Sequence, residues 1–142
     1  MRTKIVHEAL SWIGTPYVEQ ARVKGVGVDC AMLVAGIAIN LGLISDKLNI
    51  EPYDIQYHLH NREEKLLSIL EGFGCIRKSE GQVGDILAFR FGRSCSHLGV
   101  LIDNQQFIHA KYDMPNPRVV SNILGGEYLP RLQAIYSFPG VE

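Results

Sequence analysis

The sequence has no surplus of charge of either sign: over 142 residues, 14 Lys and Arg stand against 15 Asp and Glu, a formal net charge of -1. No basic stripe and no interleaving of aromatic with basic residues occurs either, so the electrostatic footprint of a nucleic-acid partner is missing. No apolar run approaches the ~20 residues of a membrane-spanning helix. The start, Met1-Arg2-Thr3-Lys4-Ile5-Val6-His7-Glu8, lacks the apolar stretch of about 7–15 residues that marks a signal peptide. Cytoplasmic synthesis without an export signal, with no membrane span, is the expectation. Cysteine is scarce: Cys30, Cys75 and Cys95 are an odd number and none is spaced C-x2-C, which fits reduced thiols better than a disulfide framework. Internal repeats and low-complexity segments are absent as well. What is abundant is apolar residues, at 46%, enough in a chain of this length for one sizeable core. A single domain over residues 1–142 is expected.

Against this plain background Cys30 stands out. It follows the glycine-rich approach Lys24-Gly25-Val26-Gly27-Val28-Asp29, and Cys30, Leu33, Val34 and Ile37 recur at the i, i+3, i+4, i+7 spacing of one helical stripe. The thiol therefore opens an apolar helix, with Asp29 as its N-cap. Unpaired amides of the first turn and the positive end of the helix dipole favour an anion there, the setting that lowers a cysteine pKa from about 8.5. Among the three thiols, Cys30 is expected to be the reactive one. The same position also suits an ordinary core cysteine.

A second group lies downstream. Ser96-His97-Leu98-Gly99-Val100-Leu101-Ile102 reads as a buried strand, Asp103-Asn104-Gln105 as a tight turn, and Gln106-Phe107-Ile108-His109-Ala110 as the returning strand. With the turn midway between them, His97 and His109 fall at the same end of two antiparallel neighbours. Cross-strand Cβ atoms are about 4.5–5.5 Å apart, or about 7–8 Å on the diagonal, so one imidazole can hydrogen-bond the other. A cysteine nucleophile needs a base, and the base needs a group that orients its far nitrogen. Cys30, His97 and His109 can supply those roles in that order.

The remaining segments place these motifs. Thr3–Ile13 and Asp29–Leu41 read as helices, and a third starts at Asn61 and stops at Gly72. The small residues Ala31, Ala35, Gly36 and Ala38 imply close packing around the second helix. Strands are expected over Phe73–Ser79, Ile86–Phe91, Arg118–Ile123 and Leu132–Phe138, besides the histidine hairpin. Helices first and strands afterwards indicate an α+β fold with an antiparallel sheet. Glu51–Asn61 reads as an irregular connector in which Tyr53, Tyr57, His58 and His60 could line a groove. Asp85 reads as a turn-capping carboxylate. Cys95, two residues before His97, would share its face, so Cys30, Cys95, His97 and His109 could also be drawn as a zinc site.

In order, Gly14-Thr15-Pro16-Tyr17, Val28-Asp29-Cys30, Val83-Gly84-Asp85-Ile86-Leu87-Ala88-Phe89, Ser96-His97-Leu98-Gly99-Val100 and Phe107-Ile108-His109-Ala110 resemble the NlpC-type cell-wall cysteine peptidases over about Ile5 to Tyr136. The resemblance implies a papain-like α+β fold, with N-terminal helices, the nucleophile helix among them, packed on a C-terminal antiparallel sheet. It implies hydrolysis of amide bonds in peptidoglycan stem peptides, commonly beside D-glutamate, with Cys30 as nucleophile, His97 as base and His109 as orienting residue, and no metal or organic cofactor. Tyr17 would help hold the oxyanion or substrate, and Asp29 would meet a stem-peptide amine. Many relatives carry Ser after the cysteine where this chain has Ala31, which puts a requirement for a free N-terminal L-alanine in doubt. Without a signal peptide and without Ser-Gly after Cys30, the chain looks like the branch encoded among phage tail genes, whose members would meet other tail proteins and act on the wall from a virion. A non-enzymatic tail or assembly module keeping the fold, and an amidase or acyltransferase using the same triad, are the other readings.

Overall fold

The computed structural model describes residues 1–47 and 64–141. Among the described residues three helices precede most of the sheet: α1 (Arg2–Leu10), α2 (Cys30–Asn40) and α3 (Lys65–Gly72). Between α1 and α2 lies a hairpin of two-residue strands, β1 (Arg22–Val23) and β2 (Gly27–Val28), which the glycine-rich reading of this stretch did not anticipate. Six further strands follow: β3 (Ile76–Lys78), β4 (Ile86–Arg90), β5 (Cys95–Leu101), β6 (Gln106–Lys111), β7 (Arg118–Ile123) and β8 (Leu132–Ser137). They form one antiparallel sheet in the order β3-β8-β4-β5-β6-β7. This is the α+β arrangement expected from the order of elements. The connector with Tyr53, Tyr57, His58 and His60, and the start of the third helix at Asn61, lie outside the described residues.

The two faces of the sheet hold different cores. Alternation along the strands sends Ile86, Ala88, Leu98, Val100, Ile108 and Ala110 to the face that α1, α2 and α3 cover, where they join Ile5, Leu33, Ile37 and Leu66. Leu87, Phe89, Leu101 and Phe107 point the other way and pack with Tyr128. Helix α2 is buried from Cys30 to Ala38, all round and not on one stripe, because α1, α3 and the sheet enclose it. Its small residues allow that enclosure: a Cβ at Gly36 would lie 2.6 Å from the Trp12 ring.

Two local devices position the site. Gly14, at φ +89, turns the chain after α1 so that residues 14–17 run beside β7, with Gly14 N–H donating to Val119 O (2.9 Å) and Tyr17 N–H to Pro117 O (2.8 Å). Asp85 is fully buried and takes the Gln82 N–H (2.7 Å), as its turn-capping reading required, but it also pairs with Arg2 (2.8 Å) and Lys78 (2.5 Å). One carboxylate thus ties the N-terminus and β3 to the entry of β4.

Candidate active site

Asp29 caps α2 as expected: its backbone is extended, and Oδ1 accepts the Met32 N–H at 2.9 Å. Oδ2 accepts the Gln20 N–H at 2.6 Å, so the same side chain braces the approach loop against the helix start. The group is 0% exposed, with both oxygens engaged by the backbone. Cys30 follows as the first helical residue. Its Sγ is 3.8 Å from the Ser96 carbonyl, to which the thiol donates, placing it against β5 immediately before His97.

The thiol is not lowered. Burial pushes it up to about 12 and the neighbouring Asp29 charge adds to the rise, while the amides of Leu98, Ala31 and Cys30 itself oppose it. The helix terminus expected to favour a thiolate is present, but at 4% exposure the loss of water outweighs it. Burial likewise raises Cys75 to about 11 and Cys95 to about 12, so thiol acidity does not single out Cys30.

His97 and His109 form the pair that the hairpin reading anticipated. His97 Nε2 and His109 Nδ1 are 2.6 Å apart, and His109 Nε2 lies 2.6 Å from Asn122 Oδ1. Phe89, Phe91, Phe107 and Tyr128 surround the two rings with centroid distances of 4.5 to 6.0 Å. Burial, followed by the charges of His109 and Lys111, holds His97 well below its usual 6.5; burial takes His109 down to about 4. At neutral pH both rings are uncharged. The nitrogen of His97 left over for proton transfer is Nδ1. In this conformation the thiol bonds to the Ser96 carbonyl and not to that nitrogen.

Tyr17 reaches the same corner from the strip beside β7. Burial, then the electrostatic influence of Cys30 and Asp29, raises its phenol above the usual 10, so it remains an O–H donor across the working pH range. Its ring sits 5.9 Å from that of Tyr112. A small cleft opens onto Ser96, His97 and His109 and is walled by Lys111, Tyr112, Asp113, Glu127 and Tyr128. Lys111 there donates to Tyr128 Oη (2.6 Å) and lies 3.3 Å from Asp113.

Two residues at this site escaped the sequence reading, Asn122 and Lys111. Alternation along an expected strand was the available signal for Lys111, two residues past His109. Asn122 had none, since its place depends on the register of β7. The zinc arrangement is corrected. The register slips between Phe89 and Arg90, pairing Phe89 with His97 but Arg90 with Cys95, and Cys95 turns into the helix-covered core. Among the described residues no three His, Cys, Asp or Glu side chains are grouped to hold a metal.

Residues 14–131 match the NlpC/P60 family. The chain belongs to that family. Solved structures agree on the fold. The NlpC/P60 domain of the peptidoglycan hydrolase SagA superposes with a TM-score of 0.61 at 20% identity, covering 97% of this chain and 99% of that one. An NlpC/P60 family protein from Bacillus cereus gives 0.65 at 18%, covering 97% of this chain and 40% of that one. The peptidoglycan hydrolase RipB from Mycobacterium tuberculosis gives 0.57 at 16%, covering 96% and 63%. This NlpC/P60 chain thus spans nearly all of the SagA domain but less than half of several longer neighbours. Among curated proteins no sequence matches. No helix of the described residues is long and apolar enough to cross a membrane.

Proposed function

We propose that the protein is a cysteine peptidase of the bacterial cell wall, cleaving amide bonds in peptidoglycan stem peptides next to γ-linked D-glutamate. The observation that carries this reading is the 2.6 Å His97–His109 pair on the sheet whose Ser96 carbonyl, next in sequence to His97, takes the thiol of Cys30 from the start of α2. Family membership and the peptidoglycan hydrolases among its structural likenesses support the substrate.

Chemistry starts from a neutral thiol and a neutral imidazole. Substrate binding exchanges the Ser96 carbonyl for His97 Nδ1 as the thiol's acceptor, since catalytic hydrogen bonds often tighten only in the complex. The proton passes to Nδ1 as sulfur bonds to the amide carbon, and the carbonyl π pair becomes an oxyanion. The Cys30 N–H and the Tyr17 O–H hold that oxygen. His97 then gives its proton to the amine nitrogen, the C–N bond breaks and a thioester remains. Water, losing a proton to His97, attacks the thioester; the C–S bond breaks and the sulfur regains a proton. His109 keeps His97 in place throughout. Asp29 fixes the helix start from which the Cys30 N–H points, and a stem-peptide amine would share its oxygens. No step calls for a metal or organic cofactor. The phage-tail setting rests on the sequence between Val28 and Ala31.

Digestion of purified peptidoglycan, with mass analysis of the fragments, tests this reading. Release of stem-peptide fragments cut after γ-D-glutamate by the wild type, and none by Cys30→Ala, is the expected result. An intact sacculus after wild-type treatment overturns it and favours the assembly-module reading, to which the deep burial of Cys30 also lends weight.

A further inference from the structure

Asn122 occupies a place in the site that no sequence motif assigned. In the β6–β7 register Phe107 faces Asn122 and His109 faces Val120, so Asn122 is the diagonal neighbour of His109 on the aromatic face of the sheet. From there its side chain meets His109 Nε2 at 2.6 Å, and His109 Nδ1 meets His97 Nε2 at 2.6 Å. Three side chains on three adjacent strands form one chain of hydrogen bonds.

A neutral imidazole has one N–H and one bare nitrogen, so the direction of such a chain is set at one end and copied along it. A carbonyl oxygen only accepts. With Oδ1 facing His109, the proton sits on His109 Nε2, His109 Nδ1 is bare, and His97 donates from Nε2. His97 Nδ1 is then left with a free lone pair. The opposite amide orientation reverses every step and puts the proton on Nδ1, where His97 cannot act as a base. Among the described residues no carboxylate hydrogen-bonds either ring, and the nearby cation Lys111 favours neither direction by a bond of its own.

We propose that Asn122 is a positioning residue whose Oδ1 polarises the two-histidine chain and so prepares His97 Nδ1 as the base. The inference rests on the reading of Cys30 and His97 as nucleophile and base, and goes beyond it by assigning what decides the base's tautomer. The role is that of the aspartate in a serine triad, where a wrong tautomer costs about 10⁴ in kcat, but it is executed here by a neutral amide across an intervening imidazole.

Long-range 1H–15N correlation spectra of the 15N-histidine-labelled protein at neutral pH read the tautomers directly. The expected wild-type result is an Nε2–H tautomer at both His97 and His109. Asn122→Leu, of similar volume, should disturb the tautomer of His109. It should also lower kcat for stem-peptide hydrolysis about 10- to 100-fold, with KM within about twofold, less than the roughly 10²–10⁴ that a positioned base contributes, because the base itself remains. Asn122→Asp, which can only accept, should keep both Nε2–H tautomers and recover most of kcat. An Nδ1–H tautomer at wild-type His109, or an Asn122→Leu spectrum and kcat equal to the wild type, overturns the proposal. Wild-type protein with the expected tautomers but no peptidoglycan hydrolysis would sustain the hydrogen-bond chain and sink the enzymatic reading instead.

Discussion

The two halves of the candidate site are held in different states. On the aromatic face, His97, His109 and Asn122 are already joined by two 2.6 Å contacts among aromatic rings. At the start of α2, the thiol of Cys30 rests on a main-chain carbonyl 3.8 Å away and is pushed up by burial. On the proposed reading, the base is assembled in advance and the nucleophile is parked. The difference follows from what each half can do without substrate: imidazoles satisfy one another, whereas a buried thiolate has no solvent to stabilise it. On that reading, activation belongs to the complex, when substrate displaces the resting contact.

The strongest way to break this contrast is to remove the assembled half. His97→Ala should lower kcat/KM about 10²–10⁴-fold, the range of a positioned general base. His109→Gln, which still hydrogen-bonds, should retain more activity than His109→Ala if, as proposed, His109 orients and does not transfer the proton. Steady-state kinetics on a defined stem peptide measures both. A harmless His109→Ala together with a mild His97→Ala would mean that the pair is only packing.

Next in size is an effect on stability. A histidine whose pKa is about 4 when folded and near 6.5 when unfolded takes up its proton preferentially in the unfolded chain. The stabilisation from keeping His109 neutral is complete above about pH 6.5 and is lost as pH falls toward 4, about 3 kcal/mol over that window; His97 shifts in the same direction. Urea unfolding at pH 7 and pH 4.5 should show that loss, and His109→Gln should shrink it. An equal acid loss in the variant would place the effect elsewhere.

The parked half gives a smaller signal. With Cys30 raised to about 12, its thiolate fraction grows tenfold per pH unit through the neutral range. Iodoacetamide should therefore label it slowly at pH 7 and about a hundredfold faster at pH 9, where attack follows the thiolate. Rapid labelling that levels off below pH 7 would show a thiolate–imidazolium pair already formed in the free protein. Site-resolved mass spectrometry separates Cys30 from Cys75 and Cys95.

The sequence by itself determined the features that depend on neighbours in the chain. Asp29 caps α2 because a carboxylate at that position reaches the Met32 amide three residues on. His97 and His109 meet because Asp103, accepting from Gln105 and Gln106 (2.7 Å each), closes a tight turn between their strands. Strand β7 also has the limits that its residue pattern suggests, Arg118 to Ile123. Tertiary structure decided the rest. Asn122 reaches His109 only through the β6–β7 register, and the turn residues Pro115-Asn116-Pro117 between those strands do not by themselves fix that register. Cys95 parts from His97 because a slip in the β4–β5 pairing interrupts alternation. The state of Cys30 was out of reach for the same reason: a helix terminus is local and readable, but the dielectric around the thiol is made by everything packed over it, and here the packing wins.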